Sequence, residues 1–460
     1  MQSTVAGLYH DAAALRRFVE DSKRFCEEAE HESYVGASEK FFRYVSDLAA
    51  ATIKFLDRIP QQGKSDDRIR AERQKLVLVK GYWGVVHSYI KPATDANTLR
   101  VPVALVDFLS NLPEGTGFSP AKIVILLSQE LNYFQYPHTG LKKADLQLRG
   151  IFEEVPAFPE GLGFIGIPYS QGSNFFTNLV IFHELGHFFF EEKARADALK
   201  GSIEDALIQW KAFAATDPET QAWARGLLHG WAQEIYCDLF AIKLIGPSYS
   251  LAYLELGNLI GLFKPEQVKR FSESHPSDAC RFREHVKLLE EKKNNWWAVV
   301  EGLESEQVEL IKHLATLDEQ EYKFVLNDRQ EASRGFIDAF LRVLPQVQQE
   351  IAKTLTNTKP PVDVFNQYKT EIQACLSQGI VPSAVFEVEE RNPSGPSESI
   401  ALINSAFFFY LTSLDTLINN IAEQDPTNIE HRSVWTKKLE AWTLKALENI
   451  RLLGNQGNIK

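Results

Sequence analysis

Residues Leu179 to Phe190 read Leu-Val-Ile-Phe-His-Glu-Leu-Gly-His-Phe-Phe-Phe, an H-E-x-x-H set in an otherwise uncharged apolar run. At about 3.6 residues per turn, His183 and His187 fall one turn apart on one helix face, so both imidazoles can reach a single metal ion. Glu184 follows the first histidine, where it can polarise a metal-held water without being a ligand itself. The uncharged flanks, Leu179 to Phe182 and Phe188 to Phe190, suit a helix buried around a dry site. Gly186 costs such a helix about 1 kcal/mol relative to alanine, so it is expected to allow close packing against the metal or a neighbouring strand. Two histidines at this spacing also arise by accident, and the segments downstream decide between the two readings.

Catalytic zinc usually keeps three protein ligands and one open position. The chain offers Glu234 in a second apolar helix, Gly230 to Ala241, where Glu234 and Asp238 share a face at i,i+4. Two carboxylates in so apolar a helix are costly unless both have partners. Glu234 as the third ligand and Asp238 as acceptor for the far nitrogen of a ligating histidine, His183 in this reading, gives each acid one. The bland alternative sends both acids to solvent. Cys237 lies one residue before Asp238, which turns it off the acid face, and His229 is off that face too and reads as structural. Further on, Ser274-His275-Pro276-Ser277-Asp278-Ala279-Cys280-Arg281 brings a histidine and an arginine around the start of another helix. Either can stabilise an oxyanion formed at a carbonyl under attack, and so can a tyrosine such as Tyr236 or Tyr169.

The three pieces together, H-E-x-x-H, then E-x-x-x-D, then His-Pro followed by Arg, resemble the gluzincin class of zinc metallopeptidases. Within it the order looks most like the HtpX and type I CAAX prenyl endopeptidase group. The resemblance covers roughly residues 160 to 290. It implies His183, His187 and Glu234 as zinc ligands, Glu184 as general base, Asp238 behind a ligand, and His275 with Arg281 near the oxyanion.

Composition bounds the rest. An apolar share of 44% and a charged share of 24% are those of an ordinary soluble protein. A net charge of −12 argues against nonspecific nucleic-acid binding and against docking on an anionic membrane. Cys26, Cys237, Cys280 and Cys375 are scattered without a C-x-x-C pair, which suits a reducing compartment. The first residues carry no charged segment followed by an apolar one, so a cytoplasmic location is expected. Ile400 to Leu414 is the most membrane-like stretch, but it is short, interrupted by Asn404, Ser405, Thr412 and Ser413, and reads as a buried helix.

Along the chain, the pattern predicts amphipathic helix from Asp11 to Asp57 and from Arg68 to about Tyr89, with His87 in a core or interface. Val101 to Leu112 is helix or strand. Ser119-Pro120 looks like a helix start leading to about Tyr133. Leu146, Leu148 and Ile151 suggest one strand and Leu162 to Tyr169 another, the second either a sheet edge on which an extended peptide could pair or an ordinary internal strand. Ser173 is expected to cap the histidine helix, running to about Ala196. Thr216-Asp217-Pro218-Glu219 starts the Glu234 helix, which ends at Gly246-Pro247. From Glu319 on the chain reads as successive helices, with the clearest linker at Asn392 to Ser397.

These readings converge on a mostly helical α+β protein with a zincin-like core at 96–318 between helical regions at 1–95 and 319–460. The expected activity is zinc-dependent hydrolysis of peptide bonds in a peptide or protein substrate, with Glu184 assisting attack of zinc-bound water. The C-terminal helices are a candidate surface for a protein partner. Two alternatives stand beside it: a zinc amidohydrolase acting on a small molecule, and a helical interaction protein whose metal motif is structural or inactive.

Overall fold

Apolar residues at helical spacing in the first hundred positions build three long helices, α1 (Val5–His31), α2 (Gly36–Asp57) and α3 (Asp66–Asn97). The computed structural model describes residues 5–31, 36–59, 66–97, 105, 123–129, 133–136, 139–152, 154–159, 162–190, 193–210, 213, 216–291, 295–326, 330–331, 334–354, 361–386, 396–424 and 431–457. Val19, Phe42, Val45, Leu48, Trp83 and Val86 are fully buried between the three helices. The Trp83 indole donates to Thr52 Oγ1 at 3.1 Å, so the polar end of the largest core side chain is satisfied. His87 packs its ring 4.8 Å from Phe18, a packing role as expected.

Strands β1 (Ile123–Ser128), β2 (Phe134–Tyr136) and β3 (Gly163–Pro168) form a sheet in the order β1-β3-β2. β1 runs parallel and β2 antiparallel to β3. Two expectations change here, and one open alternative is decided. The helix expected up to about Tyr133 is instead the strand β1 over Ile123–Ser128, with β2 beginning just past its expected end. Every residue of Ile-Val-Ile-Leu-Leu-Ser is buried, and a continuous, β-branched apolar run is what a parallel strand covered on both faces requires. The strand expected around Leu146 and Leu148 is a helix, α4 (Thr139–Arg149), whose buried positions Leu141, Asp145 and Leu148 follow the helical period while Leu146 is exposed. β3 is the strand expected at Leu162 to Tyr169, yet it is the middle strand, so it offers no free edge over Phe164 to Gly166, where both neighbours pair with it. The Ser119-Pro120 start and all of Val101 to Leu112 except Leu105 lie outside the described residues.

Val124, Leu126 and Phe164 belong to the same core as the N-terminal helices, so the sheet joins them, and the described residues up to Ser173 form one compact unit. The described residues from Asn174 onward form a second. The chain therefore divides near 173 rather than at 95.

The second unit opens with a short turn of helix, α5 (Phe175–Asn178), followed by α6 (Ile181–Phe190) and α7 (Lys193–Gln209). Ser173 does not cap the histidine helix, which begins only at Ile181; the short α5 before it is capped by Asn174, whose side chain accepts from the backbone N–H of Thr177. The long helix α8 (Pro218–Ile245) begins as the sequence suggests, with Asp217 accepting from the N–H groups of Glu219 and Thr220, and ends at Gly246 with φ 70°. A left-handed residue there suits glycine. Then follow α9 (Ser248–Leu259), the strand β4 (Arg270–Phe271), and α10 (Asp278–Leu289), capped by Ser277. Beyond α11 (Trp296–Glu301) and α12 (Glu306–Ala315), two strands the sequence reading missed, β5 (Lys323–Leu326) and β6 (Gln330–Glu331), complete a sheet ordered β4-β5-β6.

The last part is helical as expected: α13 (Arg334–Thr354), α14 (Pro361–Ser377), α15 (Pro396–Thr412), α16 (Leu414–Gln424) and α17 (Arg432–Gly457). Among the described residues no single helix is long and apolar enough to cross a membrane; α15 and α16 reach that composition only together, across a 62° bend. Asn404, which interrupts the apolar run of α15, accepts from Ser248 N and Oγ and donates to the Ile245 carbonyl, tying α15 to the junction of α8 and α9. The protein is thus mostly helical, with small sheets containing parallel strand pairs.

Candidate metal centre

The close approach of α6 to α8 is set at one position. A Cβ on Gly186 would lie 2.7 Å from Cys237 Cα and 2.9 Å from its Cβ, so only glycine lets the two helices meet there. The neighbour is thus a helix rather than the metal or a strand. This contact lays the histidine face of α6 over the acidic face of α8.

Glu234 stands between imidazoles. Its Oε2 is 3.3 Å from His183 Nε2 and its Oε1 3.7 Å from His187 Nε2. His275, carried by the turn before α10, adds a third imidazole, with Nε2 3.5 Å from Glu234 Oε2. The His275 side chain keeps 47% of its exposure while that of Glu234 keeps 12%, so the cluster opens to solvent on the His275 side. Glu234 Oε2 is buried and has no hydrogen-bond partner. A buried charged oxygen without a well-formed hydrogen bond is costly, and either an imidazolium at His183 or a bound cation can offset that cost.

Asp238, one turn along, is saturated. Arg281 grips it with two donors, Nε to Oδ2 at 2.7 Å and Nη2 to Oδ1 at 2.6 Å. Oδ1 also meets His183 Nδ1 at 2.8 Å and accepts from the Tyr249 hydroxyl. His285 Nε2 lies 3.2 Å from Oδ2. The pair expected from sequence, Asp238 behind His183, is therefore present. Arg281 is buried, its third donor group Nη1 is on the Tyr253 hydroxyl at 2.9 Å, and its guanidinium lies 4.3 Å from the Tyr253 ring. The arginine expected near an oxyanion thus spends its donors on Asp238 and Tyr253. Of the expected pair, His275 alone reaches the cluster directly.

The charges follow from this packing. Burial pushes the Asp238 carboxyl up, but the Arg281 charge, with hydrogen bonds from Arg281 and His183 and with His285 nearby, holds it well below the usual range. Burial works against a charged His183, yet Asp238 and Glu234 on its two nitrogens push it up to about 10. Without a metal, His183 is an imidazolium bridging two carboxylates. Burial and the neighbouring His183 charge press His187 down to about 4. Burial raises Glu234, but His183, His275 and His187 together bring it to about 2.

Glu184 is buried on α6, and its charge acts on the Cys237 thiol. Cys237 does leave the acid face of α8, as its position suggested, but it leaves it toward α6. His183, His187 and Cys237 each offer a ligand atom within 4.8 Å of the others, so a thiol set aside in the sequence reading joins the cluster. Burial and the charges of Glu234, Glu184 and Asp238 raise that thiol well above its ordinary value. Tyr236 packs against Phe190 and Phe240 and is fully buried. His229 rests against Phe190, a packing role.

The donor set fits zinc. Two imidazole nitrogens and a carboxylate are one of the ligand sets of hydrolytic zinc sites, and ligands about 2.0–2.1 Å from a tetrahedral ion sit about 3.3 Å from one another. The His183–Glu234 separation of 3.3 Å already has that value. Sequence reasoning missed Tyr249, Tyr253 and His285. Their signal was weak but present, since Tyr249 and Tyr253 stand at i,i+4 on an apolar helix and Arg281 and His285 stand at i,i+4 on a charged one.

No family model, curated protein or solved structure matches this chain. The reading of the cluster therefore rests on its own residues.

Proposed function

We propose that this chain is a zinc-dependent peptidase whose core, from α6 to α10, is a zincin-like variant of gluzincin type. The observation that carries the reading is Glu234 Oε2, a buried carboxylate oxygen without a hydrogen bond, 3.3 Å from one motif histidine and 3.5 Å from His275. His183 and His187 through Nε2, with Glu234 through its carboxylate, would hold the ion. Zinc in such a site acts as a Lewis acid, polarising a carbonyl oxygen and making water acidic. Glu184 takes the proton from the attacking water on its carboxylate and delivers it to the leaving amine nitrogen. His275, half exposed at the open side of the cluster, donates from its ring to the oxyanion that develops on the carbonyl oxygen. Asp238 accepts from His183 Nδ1 and keeps Nε2 turned toward the ion.

A second reading has its own observation. Cys237 with His183 and His187 forms a compact group of soft and borderline ligands, which suits a structural or redox-sensitive zinc site. Glu184→Gln discriminates. With zinc bound, the variant is expected to lose peptide hydrolysis by at least about a hundredfold, the scale of general acid–base catalysis, while keeping its metal content. Equal rates for both proteins on a mixed peptide substrate would remove the peptidase reading, and loss of zinc in Cys237→Ala with retention in Glu234→Ala would favour the second.

A further inference from the structure

The saturated end of the acidic face contains a group that the motif does not require. Tyr249 is fully buried on α9, and its hydroxyl donates to Asp238 Oδ1, the oxygen that also takes the Nδ1 side of His183. The same hydroxyl lies 3.3 Å from His183 Nδ1. Its ring is parallel to the His183 ring, with centroids 6.4 Å apart and an interplanar angle of 7°. On the other side it stacks on Tyr253 and leans on His285. Oδ1 therefore receives Tyr249, His183 and Arg281 Nη2, and Oδ2 receives Arg281 Nε with His285 nearby.

Arg281 grips the Asp238 carboxylate with two parallel donors, which holds its plane while the side chain can still rock within that plane. What Arg281 leaves open is the line along which Oδ1 faces His183. Two donors converging on Oδ1 from α6 and α9 fix that line, and with it the ring rotation that aims Nε2 at Glu234. Groups behind a ligand that set its orientation typically change metal affinity by about 10–100-fold when removed.

We propose that Tyr249 is a positioning residue of the metal centre: its hydroxyl, acting through Asp238 Oδ1, locks the His183 ring in the orientation that ligates. The inference rests on the metal reading above. It makes α9, a helix outside the sequence motif, part of the site.

The test is zinc affinity of the full chain, measured by competition with a chromophoric chelator, for wild type, Tyr249→Phe, Tyr253→Phe, Asp238→Asn and the double variant Tyr249→Phe/Asp238→Asn. Phenylalanine keeps the ring packing and removes only the hydroxyl. Tyr253→Phe removes a hydroxyl one turn away that donates to Asp278 and accepts from Arg281 Nη1, so it disturbs the Arg281 side of the cluster without removing a donor from Asp238 Oδ1. Tyr249→Phe is expected to weaken zinc binding about tenfold, Tyr253→Phe clearly less, and Tyr249→Phe is expected to add almost nothing once Asp238 is asparagine. A cobalt-loaded sample of Tyr249→Phe should also show a shifted visible spectrum, which loss of packing alone would not produce. Wild-type affinity in Tyr249→Phe overturns the inference and leaves the metal reading standing. An equal loss in Tyr253→Phe, or a full tenfold loss persisting in the Asp238→Asn background, overturns it too. Absence of zinc binding in wild type overturns both.

Discussion

Glu234 and Asp238 sit one turn apart on the same helix, and their surroundings are opposite. Asp238 has bidentate Arg281, Tyr249, His183 and His285 around both oxygens. Glu234 has imidazole nitrogens at 3.3 to 3.7 Å and one oxygen without a hydrogen bond. One carboxylate is complete within the protein. The other has only imidazoles around it, and that contrast is the ground for proposing a structural role for Asp238 and a ligating one for Glu234.

The largest expected effect breaks the complete end. Asp238→Asn leaves the Arg281 guanidinium buried with its principal counter-charge removed, and breaking a buried pair on one side costs about 3–5 kcal/mol. Urea unfolding of the metal-free protein should show that loss. Stability within 1 kcal/mol of wild type would mean that the Asp238 cluster is not what holds α8 to α10.

A third buried carboxylate sharpens the comparison. Glu440 on α17 accepts from the Phe175 backbone N–H at 2.8 Å, and burial pushes its pKa up to about 7, with Lys437 and the Phe175 and Phe176 N–H groups pulling the other way. It has neither the arginine of Asp238 nor the imidazoles of Glu234. A carboxyl with a raised folded pKa binds its proton more tightly in the folded state, so stability falls as pH rises from the unfolded value of about 4.5 toward 7. Glu440→Gln removes that slope. The variant should match wild type near pH 4 and exceed it by about 3 kcal/mol near pH 8, read as unfolding midpoints across the pH range. A gap that is constant with pH would contradict the assignment.

The contact that brings the two faces together gives a smaller effect. In an open helix Gly186→Ala would add about 1 kcal/mol of stability. Here the new methyl meets Cys237 backbone at 2.7 Å, and overpacking of this kind costs about 1–3 kcal/mol. The net sign should be destabilising, with weaker metal binding as α6 is pushed from α8. A stabilised variant would show that the helices can part without consequence.

Much of this centre was legible in the sequence because local rules govern it. The i,i+4 spacing of His183 with His187 and of Glu234 with Asp238 survives in any helix, and Asp217-Pro218 and Gly246 mark the ends of α8 by chemistry that needs no tertiary context. What failed depended on partners far away in the chain. The buried run Ile123 to Ser128 reads equally as strand or helix core until β3 is known to lie beside it. Arg281 looked like a free cation because nothing local reveals that Asp238 takes two of its donor groups and Tyr253 the third. Cys237 looked diverted because nothing local reveals that Gly186 leaves room for it. Tyr249 was missed for the same reason: its spacing from Tyr253 is visible, but its partner is on another helix.

The measurement that bears most directly on the centre is the zinc content of purified wild type, His183→Ala, Glu234→Ala and Cys237→Ala, by elemental analysis after exhaustive dialysis. The account expects about one zinc per chain in wild type and in Cys237→Ala, and a large loss in His183→Ala and Glu234→Ala. Full zinc content in Glu234→Ala would contradict it, since the unsatisfied carboxylate would then be no ligand and the difference between the two acids of α8 would have another cause.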